Sequence, residues 1–242
     1  MKKQWINHVI LILLVPLTVW VGVRFFDDRS YVFISFIIVL LTLIPFFISF
    51  ESRESNIRFM VVLAVMIALS VVGRFLFAAI PGFKPVTAIV ILTAIYFRSE
   101  AGFLVGALTA LLSNIYFGQG PWTPFQMFAW GIIGLIAGLP FIREKLINNR
   151  VSLVLFGIFA GVFFSLLMDI WTVLSLDGVF NVKRYIVAVS LSTPFMITYA
   201  ISNVVFLLLT IKPIGEKLER IKTKYGIQLG GTNGDNKIRT SD

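Results

Sequence analysis

Arg74 and Asp169 are the residues of this chain best placed to do chemistry, because each puts an ionisable group inside a long apolar stretch. A charge at the centre of a membrane helix costs about 2.5 to 3.5 kcal/mol on insertion scales, so such a residue usually faces a polar cavity or a partner. Arg74 lies about six residues from the outer end of its stretch and Asp169 about eight, so at 1.5 Å per residue their depths agree within about 3 Å. Matched depth predicts either a buried Arg74–Asp169 pair that orients helices or a polar cavity that both groups line. Asn114, Trp130, Trp171, Tyr185 and Thr193 fall toward the same level, and Pro194 frees a backbone carbonyl there. The set points to an outward-facing pocket for a bulky, partly polar molecule. Tyr199 and Asn203 lie deeper, where hydrogen bonding between helices is their expected role.

Two loops belong to the same outer level. In Ile80-Pro81-Gly82-Phe83-Lys84-Pro85, two prolines bracket an aromatic ring and a cation, and their fixed dihedrals suit a stiff lid. The second runs from Phe117 to Gln126. It combines glycines for close backbone approach with Trp122 for stacking and with Gln119 and Gln126 as amide donors and acceptors. The same residue types also suit an interfacial aromatic belt. On the inner half, Ala64 and Ala68 share one helix face about 10 to 17 Å from its inner end. A small-x-x-x-small face permits close helix approach in lipid, within the chain's own bundle or against a second protein. Gly102, Gly106 and Ala110, and Gly157 with Gly161, are expected to pack inside the bundle.

The elements that must position these groups are membrane helices. The 242 residues are 58% hydrophobic and only 14% charged, with mean hydropathy +0.92, which excludes a water-soluble domain. Apolar stretches run at 5–23, 31–50, 57–80, 85–97, 101–117, 127–142, 151–176 and 185–211, predicting an all-α integral membrane protein of eight spans, two of them short. With a cytoplasmic N-terminus, fifteen basic residues fall on inner segments against five outside (Arg24, Arg29, Lys84, Lys183 and Arg184), with Arg74 within a span. The positive-inside rule therefore places both termini in the cytoplasm. The net charge of +9 is thereby explained by topology and contact with membrane lipid, without nucleic acid. The first stretch, followed by Arg24, Phe25 and Phe26 rather than a small-residue cleavage site, reads as a retained span. Pro213 is expected to stop the last span, leaving a short basic helix with Ile214, Leu218, Ile221 and Tyr225 on one face, lying on the inner membrane surface or against a partner. The composition after Gly230 is that of a disordered end.

Whole classes of chemistry are absent from the sequence. There is no cysteine and only one histidine, His8, so no metal cluster, disulfide or thiol nucleophile is expected. No phosphate-binding loop or zinc-protease helix occurs, and Gly118-Gln119-Gly120 lacks the third glycine of a dinucleotide site. No cofactor is expected. Without an evident internal repeat, the chain lacks one mark of a self-sufficient transporter, so transport would draw on an outside motor. An autonomous permease is the alternative, and an intramembrane enzyme using Asp169 as acid or base has thin support without a second carboxylate or a metal.

The segments Lys84-Pro85-Val86-Thr87-Ala88, Glu100-Ala101-Gly102-Phe103 with Gly106, and Phe117 to Met127 resemble the substrate-binding S components of energy-coupling factor (ECF) transporters, most nearly those thought to take up cobalamin. The likeness covers about residues 57–212. It implies a six-helix core preceded by two additional transmembrane helices, so that residues 1–50, 51–212 and 213–242 divide into extra spans, binding core and basic tail. It also implies that the chain is not itself an enzyme. It would capture a vitamin outside, dock on a transmembrane coupling protein (T component) driven by two ABC-type ATPases, and topple to release its cargo inward. On this resemblance Ala64 and Ala68 would form the docking face, and the Pro81–Pro85 loop would close over the substrate. A corrinoid would stack on Phe83, Trp122 and Trp130, with its amides meeting Asn114, Gln119 and Gln126, near Arg74, Lys84, Asp169 and Trp171.

Overall fold

The computed structural model describes residues 57–177 and 180–225, with Leu13, Leu17 and Ile37 as isolated positions before them. The two leading spans, both termini and the tail beyond Tyr225 lie outside the described residues. Six helices follow in order: α1 (Ile57–Leu76), α2 (Val86–Phe117), α3 (Thr123–Ala137), α4 (Pro140–Asn148), α5 (Arg150–Asp177) and α6 (Val182–Lys224), and no strand occurs among the described residues. Four of them, α1, α2, α5 and α6, are long and apolar enough to cross a membrane, so the chain is a multi-pass membrane protein. The helices α3 and α4, bent by 76° across the Gly138–Leu139 break, qualify only as one broken span.

The stretches expected at 85–97 and 101–117 as separate spans are both parts of α2. The helix is interrupted at Arg98, whose φ of 78° lies in the left-handed region that a non-glycine residue rarely adopts. A Cβ on Gly102 would come within 2.5 Å of the Ala94 Cβ, whereas eight residues of straight helix would separate them by about 12 Å. The chain therefore folds back at Arg98, and α2 consists of two limbs in contact. Glycine makes the contacts close. Gly102 and Gly134 meet backbone to backbone, a Cβ on Gly106 would stand 2.6 Å from the Trp130 carbonyl, and one on Gly161 would stand 2.5 Å from the Ala200 nitrogen. These are the small-residue seams expected within the bundle, joining α2 to α3 and α5 to α6.

Contrary to the expected stop at Pro213, α6 is a single helix of 43 residues with Pro194 and Pro213 inside it. A proline removes one rung of the helical ladder, and here neighbouring packing compensates. Leu218 is buried and, with Ile214 and Ile221, packs on a cluster containing Phe59 of α1 and Phe97 of α2. The apolar face of the expected surface helix is thus covered by the chain itself. Arg58 lies 5.0 Å over the Tyr225 ring, and Gly215 abuts Tyr96 while Gly138 abuts Arg98 and Ser99. The basic segments consequently gather at one end of the bundle, opposite the loops after α1, α2 and α5.

Candidate functional site

The loop from Phe77 to Pro85 reaches inward from the end of α1 and is pinned to α6. The Lys84 backbone N–H donates to Ser202 Oγ (2.8 Å), and that hydroxyl donates to the Lys84 carbonyl (3.0 Å). Phe83 sits against Phe77 and Phe206, at centroid distances of 5.8 and 5.1 Å. Gly82 takes a φ of 80°, and a Cβ there would lie 3.3 Å from the Thr198 Cβ, so the backbone comes close to α6 in a conformation that favours glycine. Phe83 therefore clamps the loop in place.

Pinning the backbone projects Lys84 into a group of rings from three helices. Its Nζ lies 5.2 Å from the Tyr199 centroid, 5.7 Å from Trp130 and 6.0 Å from Phe164, each within cation–π range. Trp130 and Phe164 are stacked at 5.2 Å and 13°. Gly82, Thr87, Gly161 and Asn203 complete the walls of a narrow pocket with no room for a water-sized sphere between its side chains. A pocket this tight holds no ligand as it stands, so a ligand here would have to displace part of its lining. Burial, and secondly the Arg74 charge, push the Lys84 ammonium down to about 7.

A second, polar cluster also reaches Trp130. Arg74 Nη1 donates to Ser113 Oγ and to Asn114 Oδ1 (2.8 Å), and its guanidinium lies 4.6 Å over Phe117 and 5.4 Å over Trp130. Asn114, fully buried, donates through Nδ2 to Thr123 Oγ1 and Gln126 Oε1, both at 2.9 Å. Gln119 Nε2 donates to the Leu111 carbonyl, while Gln119 Oε1 accepts from Thr123 Oγ1. Trp122 folds over Gly120 of its own loop. The amides Asn114, Gln119 and Gln126 thus bond among the ends of α2 and α3, and together with Arg74 they join those ends to α1.

Arg74 and Asp169 do not form the pair that their matched counts allowed. Asp169 is buried and accepts from Ser192 Oγ at 2.6 Å, and among the described residues no carboxylate makes an ion pair with Arg74 or Lys84. The reason is packing: α1 lies against α2 and α5 against α6, so matched depth does not bring the two side chains together. Asp169 lies eight residues beyond Gly161 of the pocket wall, about 12 Å along α5. Trp171, two residues further, packs on Phe125 at 5.4 Å. Ala64 and Ala68 are exposed on α1, amid the exposed Val61, Val65, Leu69 and Val72.

The structure therefore brings Arg74, Lys84 and Trp130 together, with Phe83 supporting the loop, and leaves Asp169 and Trp171 apart. The pocket contributions of Tyr199, Phe164 and Gly161 were not evident from sequence. Tyr199 and Asn203 are one helical turn apart and aromatic or polar on the same face, a signal available in the sequence but equally consistent with helix stitching.

A family model described as ECF-type riboflavin transporter, S component, matches residues 54–220, more than two thirds of the chain. No curated protein and no solved structure is found to match it.

Proposed function

This chain belongs to the family of ECF-type riboflavin transporter S components, and from that premise we propose that it captures a flavin-type vitamin in the pocket beneath the Lys84 loop. S components are substrate-binding transporter subunits rather than enzymes, and the family implies a T component and ATPase partners. The observation that carries the reading of the site is the pinned loop. A short, proline-bracketed segment holds Lys84 over the stacked Trp130–Phe164 pair and Tyr199, across a narrow pocket. A planar ring suits a stacked aromatic wall. A corrinoid is the second reading, suggested by the likeness of the Phe117–Met127 segment. It is favoured less, because Asn114, Gln119 and Gln126 bond to groups of the chain itself and the pocket is narrow.

Capture takes place at the outer face on this reading, since the basic segments gather at the opposite end. The T component docks on α1, where Ala64 and Ala68 make a shallow step in an apolar face that no other described helix covers. Two ABC-type ATPases drive the complex, and the chain topples to release its cargo inward. The test is to purify the full chain from cells grown with mixed vitamins and identify the co-eluting compound by mass spectrometry. A flavin is expected; a corrinoid would select the second reading, and an amphiphile transported by the chain alone would make it an autonomous permease.

A further inference from the structure

Two cations lie over one ring in this site, and neither has a counter-ion among the described residues. Arg74 and Lys84 stand 5.4 and 5.7 Å from the centroid of Trp130, which is itself 1% exposed. Arg74 is satisfied only in part, by the neutral acceptors Ser113 and Asn114, while the contacts of Lys84 Nζ are with ring faces. The buried carboxylate of the outer half, Asp169, is engaged by Ser192 and pairs with neither. Ring quadrupoles and neutral oxygens reduce the cost of burying two positive charges but leave the net charge uncancelled. A protein that needed these side chains only for packing would be more stable with apolar residues of similar volume, since unpaired buried charge is strongly unfavourable. No described residue cancels it, which leaves that role to an occupant of the pocket.

We infer that the occupant of this pocket carries an anionic group, a phosphate or a carboxylate, that is held by Arg74 and Lys84 while its planar ring stacks on the Trp130–Phe164 wall. The inference rests on the reading of this pocket as the vitamin site. The loop then has two functions: it closes the pocket, and it delivers the cation that selects charged over neutral ligands. Arg74 supplies the fixed half of the pair, because its hydrogen bonds to Ser113 and Asn114 orient the guanidinium against Phe117 and Trp130 before any ligand binds. Charge-assisted hydrogen bonds to a bound oxyanion are about twice as strong as neutral ones, so the anion should dominate selectivity between ligands that share a ring.

The experiment uses the full chain in nanodiscs of phosphatidylcholine, with riboflavin and riboflavin 5′-phosphate as the probes and quenching of flavin fluorescence as the readout. The phosphate-bearing probe is expected to bind about tenfold or more tightly. In Lys84→Met and Arg74→Gln the ratio between the two probes should fall toward one, and Arg74→Lys, which keeps the charge, should restore part of it. Repeating the titration in discs containing anionic phosphatidylglycerol separates a vitamin's anion from a lipid headgroup: an unchanged preference assigns the site to the vitamin, and a preference lost there overturns that assignment. Equal or tighter binding of riboflavin, binding of neither flavin, or variants that weaken both probes alike would overturn the proposal. Co-purification of the T component with the same preparation reports separately on whether the chain acts as an S component.

Discussion

The two clusters that meet at Trp130 are built from similar residue types and do opposite things with them. On the α1–α2–α3 side, Arg74, Asn114, Thr123, Gln119 and Gln126 satisfy one another in an unbroken chain of hydrogen bonds. On the α5–α6 side, Lys84 faces three rings across a narrow pocket, held there by two hydrogen bonds to its backbone. The amides of that network are already engaged and have little to offer a ligand, whereas Arg74 bonds through Nη1 alone and keeps donors in reserve. A cation with no counter-ion among the described residues has its bonding capacity in reserve. Polar composition alone therefore does not locate a binding site; the difference lies in whether the polar atoms already have partners.

The comparison yields predictions of decreasing size. The largest concerns neither cluster but the face of α1 below them. Ala64→Trp or Ala68→Trp should abolish vitamin uptake in cells expressing the whole complex, with the T component lost from pull-downs, while flavin binding by the purified chain stays intact. Recovery of an intact complex would remove the docking role. Next, Tyr199→Ala should weaken flavin binding by about tenfold or more, because stacking and cation–π contacts in a desolvated site contribute about 1 to 2 kcal/mol each. Full affinity would show that the ligand lies elsewhere.

Asn114→Ala should act on the fold instead. It takes one partner each from Arg74 and Thr123 and leaves Gln126 Oε1 without its own, at about 1 to 3 kcal/mol for an unsatisfied buried group. A lower melting temperature is expected, and an unchanged one would show that the network contributes nothing. Gln119→Ala should cost less, about 1 kcal/mol, and leave flavin affinity unchanged; a loss of affinity would return this loop to the binding site.

The smallest effect is on pH. Lys84 faces Arg74 from α1 and Tyr199 from α6, while α3 and α5 present only the uncharged rings of Trp130 and Phe164. Its ammonium titrates near 7, below the usual lysine value, so it gains charge as pH falls. Binding of an anionic flavin should therefore strengthen from pH 8 to pH 6, whereas riboflavin should change little. A preference for the anion that is flat with pH would show that Lys84 stays charged throughout.

Much of the fold was legible in the sequence, because membrane helices are long and apolar. The spans at 57–80, 151–176 and 185–211 appear as α1, α5 and α6, and the glycines Gly102, Gly106 and Gly161 sit at close helix contacts as expected. The fold-back at Arg98 was not legible as a single element, since its left-handed backbone at an arginine has no residue-type signature. The continuation of α6 through Pro213 was missed because local propensity ends a helix that tertiary packing of Leu218 sustains. At the site, Lys84, Trp130 and the stiffness of the Pro81–Pro85 loop could be read from residue types. The partners of Arg74 could not, because matched depth does not say which helices pack together, and the amides of Asn114, Gln119 and Gln126 read as free only until their mutual geometry is known.

The central claim is that ligand reaches the Trp130–Tyr199 pocket only when the Lys84 loop leaves α6. The chain has no cysteine of its own, so one engineered pair tests this without interference. A Cβ at Gly82 would lie 3.3 Å from the Thr198 Cβ, close to the span of roughly 3.5 to 4.5 Å that a disulfide bridges. In the Gly82→Cys, Thr198→Cys protein, flavin binding should disappear on oxidation and return on reduction, the reduced form serving as the control for the strain of a side chain at Gly82. Equal flavin affinity in the oxidised and reduced forms, with the cross-link confirmed by mass spectrometry, would contradict the account.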